Sequence, residues 1–269
     1  MIIDCIGLPA SGKSTTCNML YDRVNTDGCH LLTRDKAMRL CLRRREDGFL
    51  RSMLKFLPSV IRDPFVGPQF ALREWHMFAT DHVALLQQIY SVLHDYQTSR
   101  EFRECILHGF MQQGIKWELF RRYLRPDESV LWDEGFLHRG FTLFGYLPPG
   151  TVCSEMIAHY VKSIPLPSVV IWVNPPVKTV IHRIEARLKH GIGLPFLLEP
   201  CVKDKWFSQL AHGYACVERL VAFAEKEGVH VLRTEALSSN EDALTRVLSD
   251  ELVSLFYRSA SSEHNACMS

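Results

Sequence analysis

The stretch Gly7-Leu8-Pro9-Ala10-Ser11-Gly12-Lys13-Ser14 decides the fold of this chain. It fits the pattern G-x-x-x-x-G-K-[ST] in full, and it follows the apolar run Met1–Ile6, which is typical of a buried strand. Residues from Lys13 to about Arg23 have the pattern of a helix. A glycine-rich turn between a strand and a helix lets consecutive backbone N–H groups surround phosphate oxygens. The stretch is therefore predicted to be a phosphate-binding loop.

The residue types in this loop indicate ATP with Mg²⁺ as the ligand. Lys13 is expected to reach the β- and γ-phosphates, and Ser14 to coordinate Mg²⁺. The remaining nucleotide contacts are expected from the loop and the first helical turn, at Gly7, Pro9, Ala10, Ser11, Gly12 and Thr15. A glycine-rich turn that merely starts a helix is the alternative, and the order of strand, motif and helix favours the nucleotide site.

Four more apolar runs with strand character follow the loop: His30–Thr33, Val130–Trp132, Val169–Val173 and His230–Arg233. Helical segments separate them, among them Leu72–Tyr96, Val177–Lys189, Trp206–Lys226 and Asp242–Tyr257. Strands that alternate with helices predict a parallel sheet of about five strands with helices on both faces. The expected fold is the three-layer α/β fold of P-loop NTPases, in one domain over residues 1–269. Residues 36–128 would form a large helical insertion between the second and third strands.

The bulk composition limits the function classes. With 47% hydrophobic residues the chain can bury a core, and its formal net charge of +1 provides no general attraction to nucleic acid or anionic membranes. No apolar run approaches the roughly 18 residues of a membrane span, and no signal peptide is visible. Nine scattered cysteines fit a reducing compartment. We expect a cytoplasmic protein without a nucleic-acid partner.

Three further segments carry a resemblance: Leu32-Thr33-Arg34-Asp35, Leu131-Trp132-Asp133-Glu134-Gly135, and the run from His182 to Lys189. With the phosphate-binding loop, they make the chain resemble the P-loop kinases that act on nucleosides, nucleotides and other small molecules, with a layout like that of thymidylate kinases. Val231–Glu235, before the final helix, corresponds to the place where such kinases pack a loop against adenine. The resemblance covers about the whole chain.

The resemblance implies a general base and a metal ligand near the ends of the second and third strands. Asp35 would orient an acceptor hydroxyl and take its proton, because an alcohol is a poor nucleophile. Glu134 is the rival for this role, and Asp133 would contact Mg²⁺. Asp35 as a cap of the following helix is the structural alternative.

The same resemblance implies arginines around the acceptor. Arg34 or Arg39 would hold an anionic part of the acceptor or the transferring group, and Arg139 would lie near the acceptor. The motif here is D-E-G, where deoxynucleoside and thymidylate kinases have E-R-S or D-R. This departure argues against a nucleoside or thymidylate acceptor. The basic run Arg43-Arg44-Arg45 could line an anionic pocket or form a solvated helix face.

Arg183 and Arg187 are separated by four residues, so they share one face of a helix. They resemble the lid arginines of nucleotide kinases, and guanidinium groups there would stabilise the charge that develops during transfer. Residues 183–200 would form this lid-like segment, with Gly191–Pro200 as its loop. A salt-bridged surface helix is the alternative.

Together these features predict an ATP-dependent phosphotransferase that moves the γ-phosphoryl group of MgATP to a hydroxyl of a small-molecule acceptor. Lys13, Asp35, Arg183 and Arg187 would be catalytic. A nucleoside or nucleotide kinase of the thymidylate type is one alternative, and a polynucleotide 5′-kinase is another. A non-catalytic switch that only binds ATP is a third. The identity of the acceptor is not encoded in any motif of the insertion.

Overall fold

The computed structural model describes residues 1–26, 30–45, 72–95, 99–190, 203–235 and 248–255. The strands are β1 Ile2–Ile6, β2 His30–Thr33, β3 Glu128–Trp132, β4 Val169–Asn174 and β5 His230–Glu235. The helices are α1 Lys13–Thr26, α2 Arg34–Arg44, α3 Leu72–Asp81, α4 Val83–Asp95, α5 Arg100–Tyr123, α6 Phe136–Phe144, α7 Ser154–Ser163, α8 Val177–Lys189 and α9 Lys203–Lys226. Residues 248–255 are also helical. Within these ranges, no helix is both long enough and apolar enough to cross a membrane.

The five strands form one parallel sheet in the order β2-β3-β1-β4-β5. The strand β1 is central, with Ile3 in register with Leu131 on one side and Val169 on the other. The strands that follow β1 in the chain lie on both sides of it in the sheet. The loops that follow β1 and β3 therefore meet at the carboxyl edge of the sheet. The order of the strands and the loop after β1 confirm the α/β P-loop NTPase fold.

Alternate residues of the strands pack into two separate layers. One layer, with α1 and residues 248–255, takes Ile3, Cys5, Leu131, Ile171 and Val173. The larger layer, with helices α2 to α9, takes Ile6, Val130, Trp132, Val170 and Trp172. This period of two is what a strand buried on both faces requires.

Helices between β2 and β3 are held against the sheet by aromatic side chains. The ring of Phe78 in α3 stacks on Phe136 at 5.2 Å, and Trp132 at the end of β3 makes an edge contact with Phe136 at 5.9 Å. Gly114 in α5 permits this packing, since a Cβ there would lie 2.5 Å from Cδ1 of Phe78. The start of α6, directly after the β3 end, is therefore enclosed by the insertion.

Several boundaries differ from the sequence-based predictions. The predicted helix Leu72–Tyr96 is two helices that meet at His82. Helices α6 and α7 were not predicted. With nine and ten residues, α6 and α7 are shorter than the windows of about 11 to 18 residues in which helical periodicity is recognised. Residues 191–200 of the predicted lid, and residues 242–247 and 256–257 of the predicted last helix, lie outside the described residues.

The basic run at the end of α2 has a structural role at two of its three residues. The Arg44 guanidinium donates two hydrogen bonds to the Glu128 carboxylate, at 2.5 and 2.6 Å, and holds the pKa of Glu128 below its usual range. The buried Arg45 pairs with the fully buried Glu74 at 3.1 Å. Arg44 therefore joins α2 to the start of β3, and Arg45 joins α2 to α3. Arg44 and Arg45 therefore belong neither to a solvated helix face nor to an anionic acceptor pocket.

Candidate functional site

The phosphate-binding loop curves tightly between β1 and α1. A Cβ at Gly7 would lie 2.4 Å from the Val173 carbonyl oxygen, so the position requires glycine. Gly12 has φ +104°, and Ala10 also lies in the left-handed region with φ 61°. These backbone angles wrap the chain around the start of α1, whose first N–H groups have no partner within the helix. The loop thus has the concave shape and free N–H groups of an anion site.

The Lys13 ammonium lies inside this loop. It donates hydrogen bonds to the carbonyl oxygens of Gly7, at 2.9 Å, and Leu8, at 3.0 Å. Burial lowers the pKa of Lys13, and the nearby charges of Glu134 and Asp133 act in the opposite direction. Phosphate oxygens would replace the two carbonyl oxygens as acceptors when a nucleotide binds. The lysine is therefore near both the loop and the β3 end.

The structure brings Asp35 and Asp133 together through Arg34. The Arg34 guanidinium donates to Asp35 from Nε and to Asp133 from Nη1, each at 3.0 Å. Asp35 stands at the start of α2 and Asp133 just after β3, so the parallel register of β2 and β3 places both at the same sheet edge. The hydroxyl of Thr33, rather than Asp35, caps α2, because it accepts from the Lys36 N–H at 3.4 Å. The cap of α2 is therefore Thr33 and not Asp35.

Glu134 forms a second ion pair beside the first. Its Oε2 accepts from Nη2 of Arg139, in α6, at 3.0 Å. Each of the two carboxylates proposed as base, Asp35 and Glu134, therefore has an arginine partner. The geometry leaves the choice between them to experiment.

The three arginines on the remaining elements take different positions. Arg183 in α8 donates from Nη1 to the Ser11 carbonyl oxygen at 2.8 Å, directly at the phosphate-binding loop. Arg187, one turn further along α8, is exposed. Arg39 is exposed on α2. Of the two predicted lid arginines, it is therefore Arg183 that contacts the phosphate-binding loop.

Ser14 and Thr15, in the first turn of α1, are exposed, whereas Ser11 is buried inside the loop. An exposed Ser14 hydroxyl and the partly exposed Asp133 carboxylate are the groups present for Mg²⁺, which takes few protein ligands when it is bound to a nucleotide. A shallow crevice lined by Leu8, Pro9, Phe141, Tyr146 and Leu210 lies on the outer side of the loop, toward α6 and α9.

Lys116 in α5 is a site residue that sequence reasoning missed. Its pKa is lowered to about 8, first by burial and then by the positive charges of Arg34 and Arg139, against the opposing effect of Glu134 and Asp133. It therefore lies within electrostatic range of both ion pairs. The signal in the sequence is weak, because a lysine in a long helix is usually solvated.

His138 in α6 was also missed. The side chain is buried, and burial together with the charges of Lys13 and Arg139 keeps its pKa well below the usual range. The imidazole is therefore neutral at physiological pH. No spacing in the sequence distinguishes it from the other histidines.

Asp4 fixes the turn that carries Asp133 and Glu134. From the middle of β1, its two carboxylate oxygens accept from the N–H groups of Gly135, at 3.0 Å, and Leu137, at 3.1 Å. A Cβ at Gly135 would lie 2.4 Å from Asp4 Oδ2, so the turn requires glycine here. The carboxylate thus satisfies N–H groups at the start of α6 that have no partner in the helix. In the sequence, the signal for this role of Asp4 was the presence of an acidic residue inside the apolar run of β1.

Asp4 also predicts a pH dependence of stability. Burial raises its pKa from 3.8 to about 7, although the two backbone hydrogen bonds lower it. Between these values the folded state keeps a proton that the unfolded state has lost, so the free energy of unfolding falls as pH rises to about 7. We expect the wild type to lose up to about 1.4 kcal/mol per pH unit relative to Asp4→Asn over this window.

The measurement is denaturant unfolding of both proteins from pH 4.5 to pH 8, without nucleotide and with EDTA. Asp4→Asn is the matched control because it keeps the side-chain shape but has no proton to titrate. The same pH slope in both proteins would contradict the effect assigned to Asp4.

Comparisons with known proteins complete the description of the site. Neither a protein-family model nor a curated protein matches the chain. Among solved structures, the chain is similar to a deoxyadenosine kinase from M. mycoides, at 14% identity and a TM-score of 0.41, over 94% of this chain and 100% of that one. It is similar to a thymidylate kinase from Ehrlichia chaffeensis at 13% identity and a TM-score of 0.34, over 95% and 97% of the two chains.

Proposed function

We propose that the chain is an ATP-dependent kinase that transfers the γ-phosphoryl group to a hydroxyl of a small-molecule acceptor. The observation that carries the proposal is the bridge from Arg34 to both Asp35 and Asp133. The bridge lies beside a phosphate-binding loop whose Lys13 is near the charges of Glu134 and Asp133. A loop that only bound nucleotide would not need a second carboxylate beyond the metal ligand. Two carboxylates at one sheet edge supply both a metal ligand and a base.

In the proposed reaction, the acceptor oxygen forms a bond to the γ-phosphorus as the bond from that phosphorus to the β-bridging oxygen breaks. ADP leaves, and the hydroxyl proton passes to the Asp35 carboxylate, with Glu134 as the other candidate base. Lys13 and Arg183 would stabilise the charge on the transferring group. Ser14 and Asp133 would hold Mg²⁺, which when bound supplies positive charge at the phosphates.

The arginine partners of the two carboxylates support a positioning role. An ion pair holds a carboxylate in one orientation, and a base must lie within hydrogen-bond distance of the proton that it takes. Arg34 would also compensate the charge of Asp35 while Asp133 is occupied by Mg²⁺. Asp35 would therefore keep its arginine partner throughout the transfer reaction.

The first experiment is ADP release from MgATP with two acceptor pools, one of uncharged or carboxylate-bearing hydroxyl compounds and one of phosphomonoesters. Stimulation that is lost in Asp35→Asn, with either pool, supports transfer to a hydroxyl. Stimulation by phosphomonoesters that survives in both Asp35→Asn and Glu134→Gln indicates transfer to a phosphate, as in a nucleotide kinase. ATP binding without stimulation by any acceptor contradicts the kinase and supports the switch.

A polynucleotide 5′-kinase is tested in the same assay with a short DNA. Its activity would fall steeply as salt rises, because phosphate contacts release counterions. Turnover of small acceptors that is insensitive to salt excludes this alternative.

A further inference from the structure

Helix α5 contributes a second polar wall to the candidate site. Gly109, Gln113 and Lys116 are separated by four and three residues, so they share one face of the helix. A Cβ at Gly109 would lie 3.1 Å from Nη1 of Arg139, which places this guanidinium against that face. Together with burial, the positive charges of Arg34 and Arg139 lower the pKa of Lys116. This face of α5 therefore lies toward the two ion pairs.

Several polar groups on this face have no partner within the described ranges. Gln113 is fully buried, and neither its amide nitrogen nor its amide oxygen has a hydrogen-bond partner there. The buried Nε of Arg139 likewise has no hydrogen-bond partner among the described residues. Lys116 has no hydrogen bond or ion pair within the part of the chain that the structure describes. Unpaired buried polar groups are costly, and each one in a native structure requires an explanation, such as a catalytic role or a bound water or ion.

The balance of charge indicates the kind of ligand. The pairs set three carboxylates, Asp35, Asp133 and Glu134, against two arginines. With Asp133 holding Mg²⁺, as proposed above, one carboxylate remains for each arginine. Lys116 adds a positive charge to the same place, partly removed from water. The ammonium and the unpaired guanidinium N–H both donate hydrogen bonds and accept none. An oxyanion is the ligand that would satisfy them.

We propose that the acceptor is a hydroxyl compound that also carries an oxyanion, a phosphomonoester or a carboxylate, and that Lys116 and Arg139 bind this group. This rests on the proposed function, because it names the acceptor class of the same site. The oxyanion holds the acceptor at the wall formed by α5 and α6. The hydroxyl then faces the carboxylates of Asp35 and Glu134. Gln113 supplies a donor and an acceptor beside the oxyanion.

The activity test uses acceptors in matched sets, each with a neutral member, a carboxylate and a phosphomonoester on the same carbon skeleton. We expect turnover of an anionic member and little of its neutral counterpart. Lys116→Met should raise the KM for that acceptor about 10- to 100-fold, the effect of losing one hydrogen bond to a charged group, with the KM for ATP unchanged. Lys116→Arg should restore part of the affinity.

Lys162→Met is the matched control, since Lys162 is exposed on α7, a helix that contributes no residue to the two ion pairs. Equal use of neutral and anionic acceptors overturns the inference and leaves the kinase intact. A fall in kcat without a change in the acceptor KM also overturns it, because it would place Lys116 at the transferring phosphoryl group.

A binding test does not depend on turnover. The protein is saturated with a non-hydrolysable MgATP analogue, which fills the phosphate-binding loop, and is titrated with inorganic phosphate or acetate while binding is followed by NMR. Binding of one probe that is lost in Lys116→Met, but not in Lys162→Met, supports the oxyanion site and tells phosphate from carboxylate. Equal binding in the wild type and Lys116→Met overturns it. If no acceptor supports turnover, the kinase proposal fails and this test still decides the site.

Discussion

Replacing Lys13 by alanine should lower kcat by a factor of at least about 10² to 10³, the usual cost of removing one group that stabilises transition-state charge. Lys13 is the loop cation, and its ammonium donates hydrogen bonds to the carbonyl oxygens of Gly7 and Leu8. The fold should persist, because the two lost hydrogen bonds are offset by removal of a buried charge. The measurements are ADP release at saturating acceptor and the melting temperature.

Lys162→Ala is the control for the loss of a lysine as such. It should leave both measurements unchanged, because Lys162 is exposed on α7. Turnover of Lys13→Ala within about threefold of the wild type would refute the assignment of this loop as the site of transfer. A large fall in melting temperature would instead assign Lys13 a structural role.

Changing Asp35 to asparagine should lower kcat about 10²- to 10⁴-fold if this carboxylate is the general base. The asparagine oxygen can still accept the hydrogen bond from Arg34 Nε, so the arrangement of the site should survive. The effect would then come from the loss of proton acceptance. The comparison is kcat for the wild type, Asp35→Asn and Glu134→Gln with the same hydroxyl acceptor.

Thr33→Ala separates catalysis from helix capping. Because the Thr33 hydroxyl caps α2, its removal should cost about 1 kcal/mol of stability with little effect on kcat. A catalytic loss in Glu134→Gln alone would identify Glu134 as the base. Near-normal rates in both carboxylate variants would mean that the acceptor is already ionised and needs no base.

The sequence predicted the parts of the site that depend on local pattern. The phosphate-binding loop follows from eight consecutive residues, and its strand and helix are adjacent in the chain. Asp35 and Asp133 are distant in sequence, but each follows a predicted strand, and neighbouring parallel strands end at one edge. Their proximity could thus be predicted once β2 and β3 were recognised.

The missed residues depend on tertiary burial. Asp4 is important because its strand lies beside β3, where Gly135 and Leu137 need an acceptor. Lys116 becomes a site residue only when α5 packs across the sheet edge. No periodicity shows which face of a long, largely buried helix meets the site. The roles of Arg187 and Arg39 stay predictions, since both are exposed.

The buried ion pair between Arg45 and Glu74 ties the end of α2 to the start of α3. Removing either partner alone would leave the other charge buried without a counter-ion, which costs about 3 to 5 kcal/mol. Because Phe78 of α3 stacks on Phe136 at the start of α6, the same pair supports the helix that carries Arg139. Its loss would therefore loosen one wall of the candidate site without changing any residue in that site.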